Sequence, residues 1–194
     1  MSHIRIPIVT APFTTASYGL NSKISMDTIG PLPLSEEGYL HLLVVIDNFS
    51  RYVELYPLGD LSALTAARRL VEHIGRHGCP NLIQFDNGSQ FCNEIIRDTI
   101  RLIGTESVQT LAYSKEENAI VERSNKEVVR HIRAMVFEIG KRNDWPHFTP
   151  LVQRIINSEV SSVTGVSPNA LRFGDTVDLD LSLIHISEPT RRTP

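Results

Sequence analysis

The sequence predicts a single α/β domain in which a mixed, five-stranded sheet carries helices on its faces. Three candidate strands come first, joined by short connections, which is the pattern of an antiparallel meander. Helix, strand, helix and strand follow in alternation, and further helices close the chain, so the later strands alternate with helices that cover a sheet. The 194 residues suit one well-buried domain better than two.

The three leading strands are bounded by clear breaks. The first covers residues 23–29 and ends at Gly30-Pro31-Leu32-Pro33, which cannot continue the interior of a sheet. Residues 40–46 are almost all apolar, as expected for a central strand buried on both faces. Residues 52–58 alternate in polarity and form the third strand.

The remaining elements follow from capping and periodicity. Ser62 is a candidate N-cap, and Gly78 with Pro80 ends the helix that it opens. Within that helix four apolar residues recur at helical spacing: Leu64, Ala67, Val71 and Ile74. The later elements are a strand at 82–85, a helix at 93–103 ended by Gly104, a strand at 107–111, a long helix from about 116 to 142 and a helix at 144–158.

Composition narrows the class of protein. Hydrophobic residues make up 41% and charged residues 21% of the chain, as in ordinary soluble globular proteins. No apolar run reaches the roughly 18 residues of a membrane span, and no signal peptide opens the chain, so neither a membrane partner nor secretion is expected. Cys79 and Cys92 fit reduced intracellular thiols. The net charge of −3 argues against a uniformly basic surface but allows a local basic strip.

Three carboxylates stand where metal-dependent chemistry on phosphodiesters would need them. Asp27 interrupts the first strand, Asp86 follows the strand at 82–85, and Glu122 lies in the long helix, with 35 residues between Asp86 and Glu122. Hard divalent ions take carboxylate oxygens, and a buried carboxylate is costly unless it is paired or metal-bound. Taken alone, Asp86 is equally well a turn former and Glu122 a solvated helix residue. The three together favour a metal site.

The surrounding motifs resemble the catalytic core of retroviral and LTR-retrotransposon integrases, most of all those of gypsy-type elements. The matching pieces span residues 25 to 174 in family order: Ser25-Met26-Asp27 with Gly30-Pro31-Leu32-Pro33, Val44 to Tyr52, Asp86-Asn87-Gly88-Ser89-Gln90-Phe91, Val121 to Lys126, and Thr164-Gly165-Val166-Ser167-Pro168 before Phe173-Gly174. The spacing of two Asp and a Glu with a 35-residue gap is the hallmark of that family. The sequence departs from many relatives just before Glu122, where Ala119 stands in place of a Gly.

The resemblance implies an RNase H-like fold and a metal-dependent polynucleotidyl transferase that joins the DNA ends of an element to target DNA. It makes Asp27, Asp86 and Glu122 the catalytic metal ligands for Mg²⁺ or Mn²⁺, and it implies dimerisation through the core with a higher multimer during integration. Function would then be in the nucleus, after a cytoplasmic particle phase. The residues expected to contact DNA are Asn118, Asn125, Lys126, Arg130 and Arg133. For the arginines an ordinary solvated helix face is an equal alternative.

Three segments are expected. Residues 1–22 form a linker or N-terminal arm, residues 23–175 the catalytic core, and residues 176–194 a tail. Residues 181–191 resemble the translation of a transposase-based sequencing adapter, so the tail is expected to be largely non-native and the true C-terminus absent. The N-terminal zinc domain of full-length integrases is also expected to be missing.

Two other functions remain open, together with some secondary features. One alternative is a transposase with the same carboxylate triad. The other is a domesticated or inactive copy that binds DNA or a partner without catalysis. Asp47 is interpreted as a turn or capping residue. His73 and His77 have the i, i+4 spacing of zinc ligands, but no third ligand is evident in the sequence, so a surface or capping role is favoured.

Overall fold

The five strands and the helices predicted at 62–78, 93–103 and 144–158 lie close to their predicted positions. Of the long helix predicted over about 116–142, residues 123–134 are helical, and residues 116–122 and 135–141 lie outside the described residues. The computed structural model describes residues 19–85, 91, 93–109, 123–134, 142–162 and 164–174. The strands are β1 (Lys23–Ile29), β2 (His41–Asp47), β3 (Val53–Leu58), β4 (Leu82–Phe85) and β5 (Glu106–Gln109). The helices are α1 (Ala63–His77), α2 (Glu94–Ile103), α3 (helical over 123–134), α4 (Trp145–Ser158) and α5 (Pro168–Phe173), with a short 3₁₀ turn at Arg142–Asp144.

The five strands form one mixed sheet in the order β3-β2-β1-β4-β5. β1 is the central strand; it pairs antiparallel with β2 and parallel with β4. Asp27 lies opposite Val44 on β2, and Met26 lies opposite Phe85 on β4. The predicted five-stranded mixed sheet is confirmed. Its antiparallel half follows from the short connections, and its parallel half from the α1 and α2 crossovers.

Helix α1 has the predicted ends but a different buried face. The Ser62 side chain accepts a hydrogen bond from the Thr65 amide, and Gly78 caps the C-terminus. Leu64 and Val71, two of the four apolar residues noted in the sequence, are exposed. The helix instead buries the residues Ala63, Ala66, Ala67, Leu70 and His73. The small alanines let the helix pack close to the sheet, and His73 is buried on the same face although it is polar.

The core is divided by the sheet into two layers. One layer joins α1 and α2 to one face and includes Ile24, Met26, Tyr56 and Ile83. The other joins α3 and α4 to the opposite face and includes Val44, Val53, Val128, Trp145 and Val152. Because side chains alternate along a strand, neighbouring residues of β1 and β3 belong to different layers. Side chains on the two faces of the sheet are therefore separated from each other by the sheet itself.

The edge strand β3 is covered by polar side chains of α4. Asn157 accepts a hydrogen bond from the Val53 amide (2.8 Å) and donates one to the Val53 carbonyl (2.8 Å). Gln153 accepts from the Leu55 amide at 3.0 Å. Unpaired edge groups invite pairing with other chains, and these amides satisfy them. α4 therefore closes one edge of the sheet as well as packing on its face.

Helix α5 was not predicted from the sequence. Its start is nevertheless recognisable in Ser167 followed by Pro168, because the Ser167 side chain accepts a hydrogen bond from the Ala170 amide. Among the described residues, none of the helices combines the length and apolar character needed to cross a bilayer.

We expect Asn157→Ala to lower the free energy of unfolding by about 2–6 kcal/mol, because it leaves the buried amide and carbonyl of Val53 without partners at about 1–3 kcal/mol per group. Chemical denaturation measures this loss. Arg154→Ala, an exposed substitution on the same helix, is the matched control and should change stability by less than about 0.5 kcal/mol. Equal effects of the two substitutions would show that the Asn157 contacts do not hold the edge strand.

Candidate active site

Asp27 is placed at the centre of the sheet, as the sequence predicts. It is partly exposed, in a strand whose preceding residues Ile24, Ser25 and Met26 are buried. One carboxylate oxygen, Oδ1, accepts a hydrogen bond from the Thr28 amide at 2.7 Å. The side chain thus stands at the boundary between the core and the surface, where its charge remains partly solvated and its oxygens can reach a ligand.

Helix α3 contacts this carboxylate directly through Asn125. The Asn125 Nδ2 atom donates a hydrogen bond to Asp27 Oδ2 at 2.6 Å, across 98 positions of sequence. The other amide atom of Asn125, Oδ1, is buried and makes no hydrogen bond to the described residues. A charge-assisted bond of this kind fixes the orientation of the carboxylate. Asn125 was predicted as a DNA contact, and the structure gives it a second task, which is to position Asp27.

The other two predicted ligands, Asp86 and Glu122, lie outside the described residues, as does Asn118. The described residues next to Asp86 and Glu122 in the sequence can be placed relative to β1. β4 ends at Phe85, which pairs with Met26 on the central strand. On the other side, α3 is described from Arg123, two residues before Asn125. Phe85, which precedes Asp86 in the sequence, thus lies beside the central strand, and Asn125, three residues after Glu122, bonds to Asp27.

The remaining predicted DNA contacts line one surface groove beside β1. This groove has a volume of about 460 Å³ and is lined by Ile29, Asn125, Lys126, Val129, Arg130 and Arg133. Lys126, Arg130 and Arg133 are exposed, so three cationic side chains border one depression two residues along the strand from Asp27. Arg130 is also paired with Glu127 at 2.7 Å, which neutralises part of its charge.

Asp47, which resembles a family position, has the structural role predicted for it. Its carboxylate accepts hydrogen bonds from the Asn21 and Ser50 amides at 3.3 Å and from the Ser50 hydroxyl at 2.5 Å. It is 3% exposed and holds the turn between β2 and β3. It belongs to the turn and not to the Asp27 site.

The expectation for His73 and His77 was wrong. His73 is 4% exposed and the side chain of His77 is 12% exposed, so the two histidines do not have the surface or capping role that was expected. Glu54, His73 and His77 present ligand atoms that all lie within 4.8 Å of one another. Glu54, the third residue of the group, could not be identified from the sequence because it belongs to β3 and approaches α1 only in the folded protein. A polar residue two positions before Tyr56 on a predicted strand was the available signal.

The ionisation of this cluster is strongly perturbed. Burial, with a smaller contribution from the charge of His77, lowers the pKa of His73 to about 3. Burial alone would raise the pKa of Glu54, but the neighbouring His77 and the Tyr56 hydroxyl hold it below its usual value. Burial and the Glu54 charge raise the pKa of Tyr56. His73 is therefore neutral and Glu54 charged at neutral pH.

A second group, Glu127, His131 and Glu159, also brings three ligand-type atoms within 4.8 Å. Here a cation is already present, because the Arg130 guanidinium lies 3.2 Å from His131 Nε2 and 2.7 Å from Glu127. Arg130 and Glu127 form an ion pair within α3, and His131 lies 3.5 Å from Glu159 at the end of α4.

The chain is similar to known proteins both in sequence and in structure. The family model described as "Integrase core domain" matches residues 18–115, a span that includes β1 to β5 and α1 with α2. The Pro-Pol polyprotein of simian foamy virus type 3 (strain LK3) is 31% identical over 178 residues, covering 84% of this chain and 15% of the relative. The retrovirus-related Pol polyprotein from transposon 412 of Drosophila melanogaster is 28% identical over 170 residues, covering 86% and 14%.

These relatives are far longer than the chain, which spans about one seventh of their length. They include viral and transposon polyproteins, so the resemblance to integrases is confirmed, whereas the finer likeness to gypsy-type elements stays a prediction.

Solved structures agree on the fold. A chain of the simian T-cell lymphotropic virus intasome in complex with PP2A regulatory subunit B56 gamma superposes with a TM-score of 0.72 at 16% identity, covering 84% of this chain and 58% of that one. The HTLV-2 integrase catalytic core domain in complex with magnesium, in a trimeric form, gives 0.67 at 15% identity, covering 80% and 99%. The RNase H-like fold predicted from the resemblance is confirmed, and the chain belongs to the integrase core domain family.

Proposed function

We propose that this chain is the catalytic core of a retroelement integrase, a metal-dependent polynucleotidyl transferase that joins the element's DNA ends to target DNA. The observation that carries the proposal is the bond from Asn125 to Asp27. It brings α3, whose described part begins at Arg123, against the central carboxylate of the sheet. Family membership gives this arrangement its chemical interpretation.

The residues present suit a divalent metal. Asp27 is partly buried, is anchored by the Thr28 amide and the Asn125 side chain, and offers carboxylate oxygens of the kind that Mg²⁺ and Mn²⁺ prefer. We propose Asp27, Asp86 and Glu122 as the ligands. When bound, such ions activate the attacking oxygen and stabilise the leaving oxygen of a phosphodiester. The chain's own contribution is to hold the first carboxylate in one orientation.

The groove next to Asp27 is proposed to hold the DNA backbone. Lys126, Arg130 and Arg133 border it, and cationic side chains at a groove neutralise phosphates and set the register of a duplex. Asn118 and Asn125 are proposed as amide contacts. Between Lys115 and Arg142 the sequence has seven Lys and Arg against five Glu, so this strip is positive although the whole chain is negative.

Assembly and location complete the proposal. We propose that the core forms a homodimer and enters a higher multimer during integration, acting in the nucleus after a cytoplasmic phase. The structurally similar proteins are an intasome chain and a trimeric core, which supports multimerisation in general.

The functional test is reversal of strand transfer on a branched DNA with Mg²⁺ or Mn²⁺. We expect Asp27→Asn to reduce resolution of the branch by more than about 100-fold, beyond the loss typical for an outer partner of a metal. The change is nearly isosteric and removes a charge from a cluster that repels itself without metal, so the variant should fold.

Asp98→Asn, an exposed change on α2 at the opposite face of the sheet, is the matched control and should retain activity. Metal-dependent resolution lost only in Asp27→Asn supports the transferase. A folded wild-type protein that binds DNA but never resolves the branch would favour the inactive, DNA-binding alternative.

Asn125→Ala tests the positioning of Asp27. Losing the bond at 2.6 Å frees the carboxylate, and we expect activity to fall by about 10–100-fold, as for an outer partner that orients a metal ligand. Raising the metal concentration should restore part of the rate, because the defect is in metal affinity. Asn81→Ala, which removes an exposed amide, serves as the control. Unchanged metal dependence in Asn125→Ala would contradict the positioning role.

A further inference from the structure

The cluster of Glu54, His73 and His77 lies in the layer opposite Asp27. Glu54 and Tyr56 belong to the same face of β3, and Tyr56 packs in the core layer beneath α1. His73 and His77 are one helical turn apart on α1, with ring centroids 4.7 Å from each other. The cluster is therefore independent of the proposed catalytic carboxylates and needs its own explanation.

The geometry of the cluster is close to that of ligands sharing one ion. His77 Nε2 lies 3.1 Å from Glu54 Oε1, and one ligand-type atom of each of Glu54, His73 and His77 lies within 4.8 Å of the other two. Two ligands of a tetrahedral Zn²⁺ are separated by about 3.3–3.6 Å, given metal–ligand bonds of about 2.0–2.2 Å. His77 Nε2 is also buried and makes no hydrogen bond of good geometry among the described residues, and its contact with Glu54 is an ion pair only when the imidazole is protonated.

The surrounding side chains hold the three groups in place. The Tyr56 hydroxyl donates to Glu54 Oε2 at 3.0 Å and lies 3.1 Å from His73 Nδ1. Gln153, from α4, donates to Glu54 Oε1 at 3.1 Å. Metal ligands are normally oriented by outer partners of this kind. His77, with 12% of its side chain exposed, marks the side from which an ion would enter.

We propose that Glu54, His73 and His77 form a zinc site that ties the edge strand β3 to helix α1, with water as the fourth ligand. Two imidazoles and one carboxylate select Zn²⁺ over Mg²⁺, which prefers oxygen ligands alone. The competing arrangement is an ion pair in which Glu54 faces a charged His77 and Arg76, whose guanidinium lies 3.6 Å from Glu54 Oε2. Arg76 is largely exposed and also pairs with Glu72, so it need not leave for a metal to bind.

Metal content distinguishes the two arrangements. The full chain is stripped with a chelator, titrated with Zn²⁺ in excess Mg²⁺ against a chromophoric competitor, and examined by absorption spectroscopy after Co²⁺ loading. We expect one Zn²⁺ per chain, a tetrahedral Co²⁺ spectrum and a rise in Tm that Mg²⁺ does not produce. The same stoichiometry in Asp27→Asn would place the ion outside the proposed catalytic site.

Variants locate the ion within the cluster. Glu54→Gln, which is nearly isosteric, and His77→Asn, which replaces the imidazole with a smaller polar amide, should abolish the Co²⁺ spectrum and the Tm rise. Tyr56→Phe, which removes only an outer hydroxyl, should weaken Zn²⁺ affinity by about 10–100-fold. Glu72→Gln, on the same helix outside the cluster, should leave binding unchanged. Absence of Zn²⁺ binding by the wild-type chain, or equal binding by folded Glu54→Gln and His77→Asn, would overturn the proposal in favour of the ion pair.

Discussion

One hydrogen bond between an amide and a carboxylate links the two parts of the molecule on which its proposed chemistry depends. Asp27 belongs to the central strand, and Asn125 to a helix almost one hundred residues later. β1 pairs with a neighbouring strand on each side, so the backbone that carries the Asp27 carboxylate is held in place. Val128 and Ile132 pack α3 into the layer that contains Trp145, so the backbone that carries the Asn125 amide is held in place as well. The site is therefore as rigid as the packing between sheet and helices.

The sheet separates two kinds of polar chemistry. On the α3 side, the groove cations and Asp27 face outward, where a large anionic ligand can approach. On the α1 side, Glu54, His73 and His77 are enclosed, and Tyr56 and Gln153 satisfy the carboxylate. An exposed site suits exchange of substrate, whereas an enclosed one suits a structural ion. The alternation of side chains along β3 separates Glu54 and Tyr56 from Val53 and Leu55, which belong to the core layer on the α3 side.

Much of this was readable from the sequence, for identifiable reasons. β1 and β4 are delimited by Gly-Pro breaks and by turn residues, and their predicted bounds match those observed. Ser62 and Gly78 fixed the ends of α1 because caps are local. The buried face of α1 was not predictable, since Leu64 and Val71 are apolar yet exposed. Glu54 was not predicted as a neighbour of His77 because their proximity depends on both strand pairing and helix packing. Asn125 was predicted as a DNA contact, whereas its hydrogen bond to Asp27 could be seen only in the folded structure. The assignment of Asp86 and Glu122 as ligands is based on the sequence motif.

The most direct test of the central claim is anomalous diffraction from crystals of the chain grown with Mn²⁺. The account predicts a Mn²⁺ peak bonded to an oxygen of Asp27, with Asp86 and Glu122 as further ligands and Asn125 still donating to the Asp27 carboxylate. Mn²⁺ bound elsewhere, with Asp27 uncoordinated at saturating concentration, would contradict the assignment of this carboxylate as the metal centre of the domain.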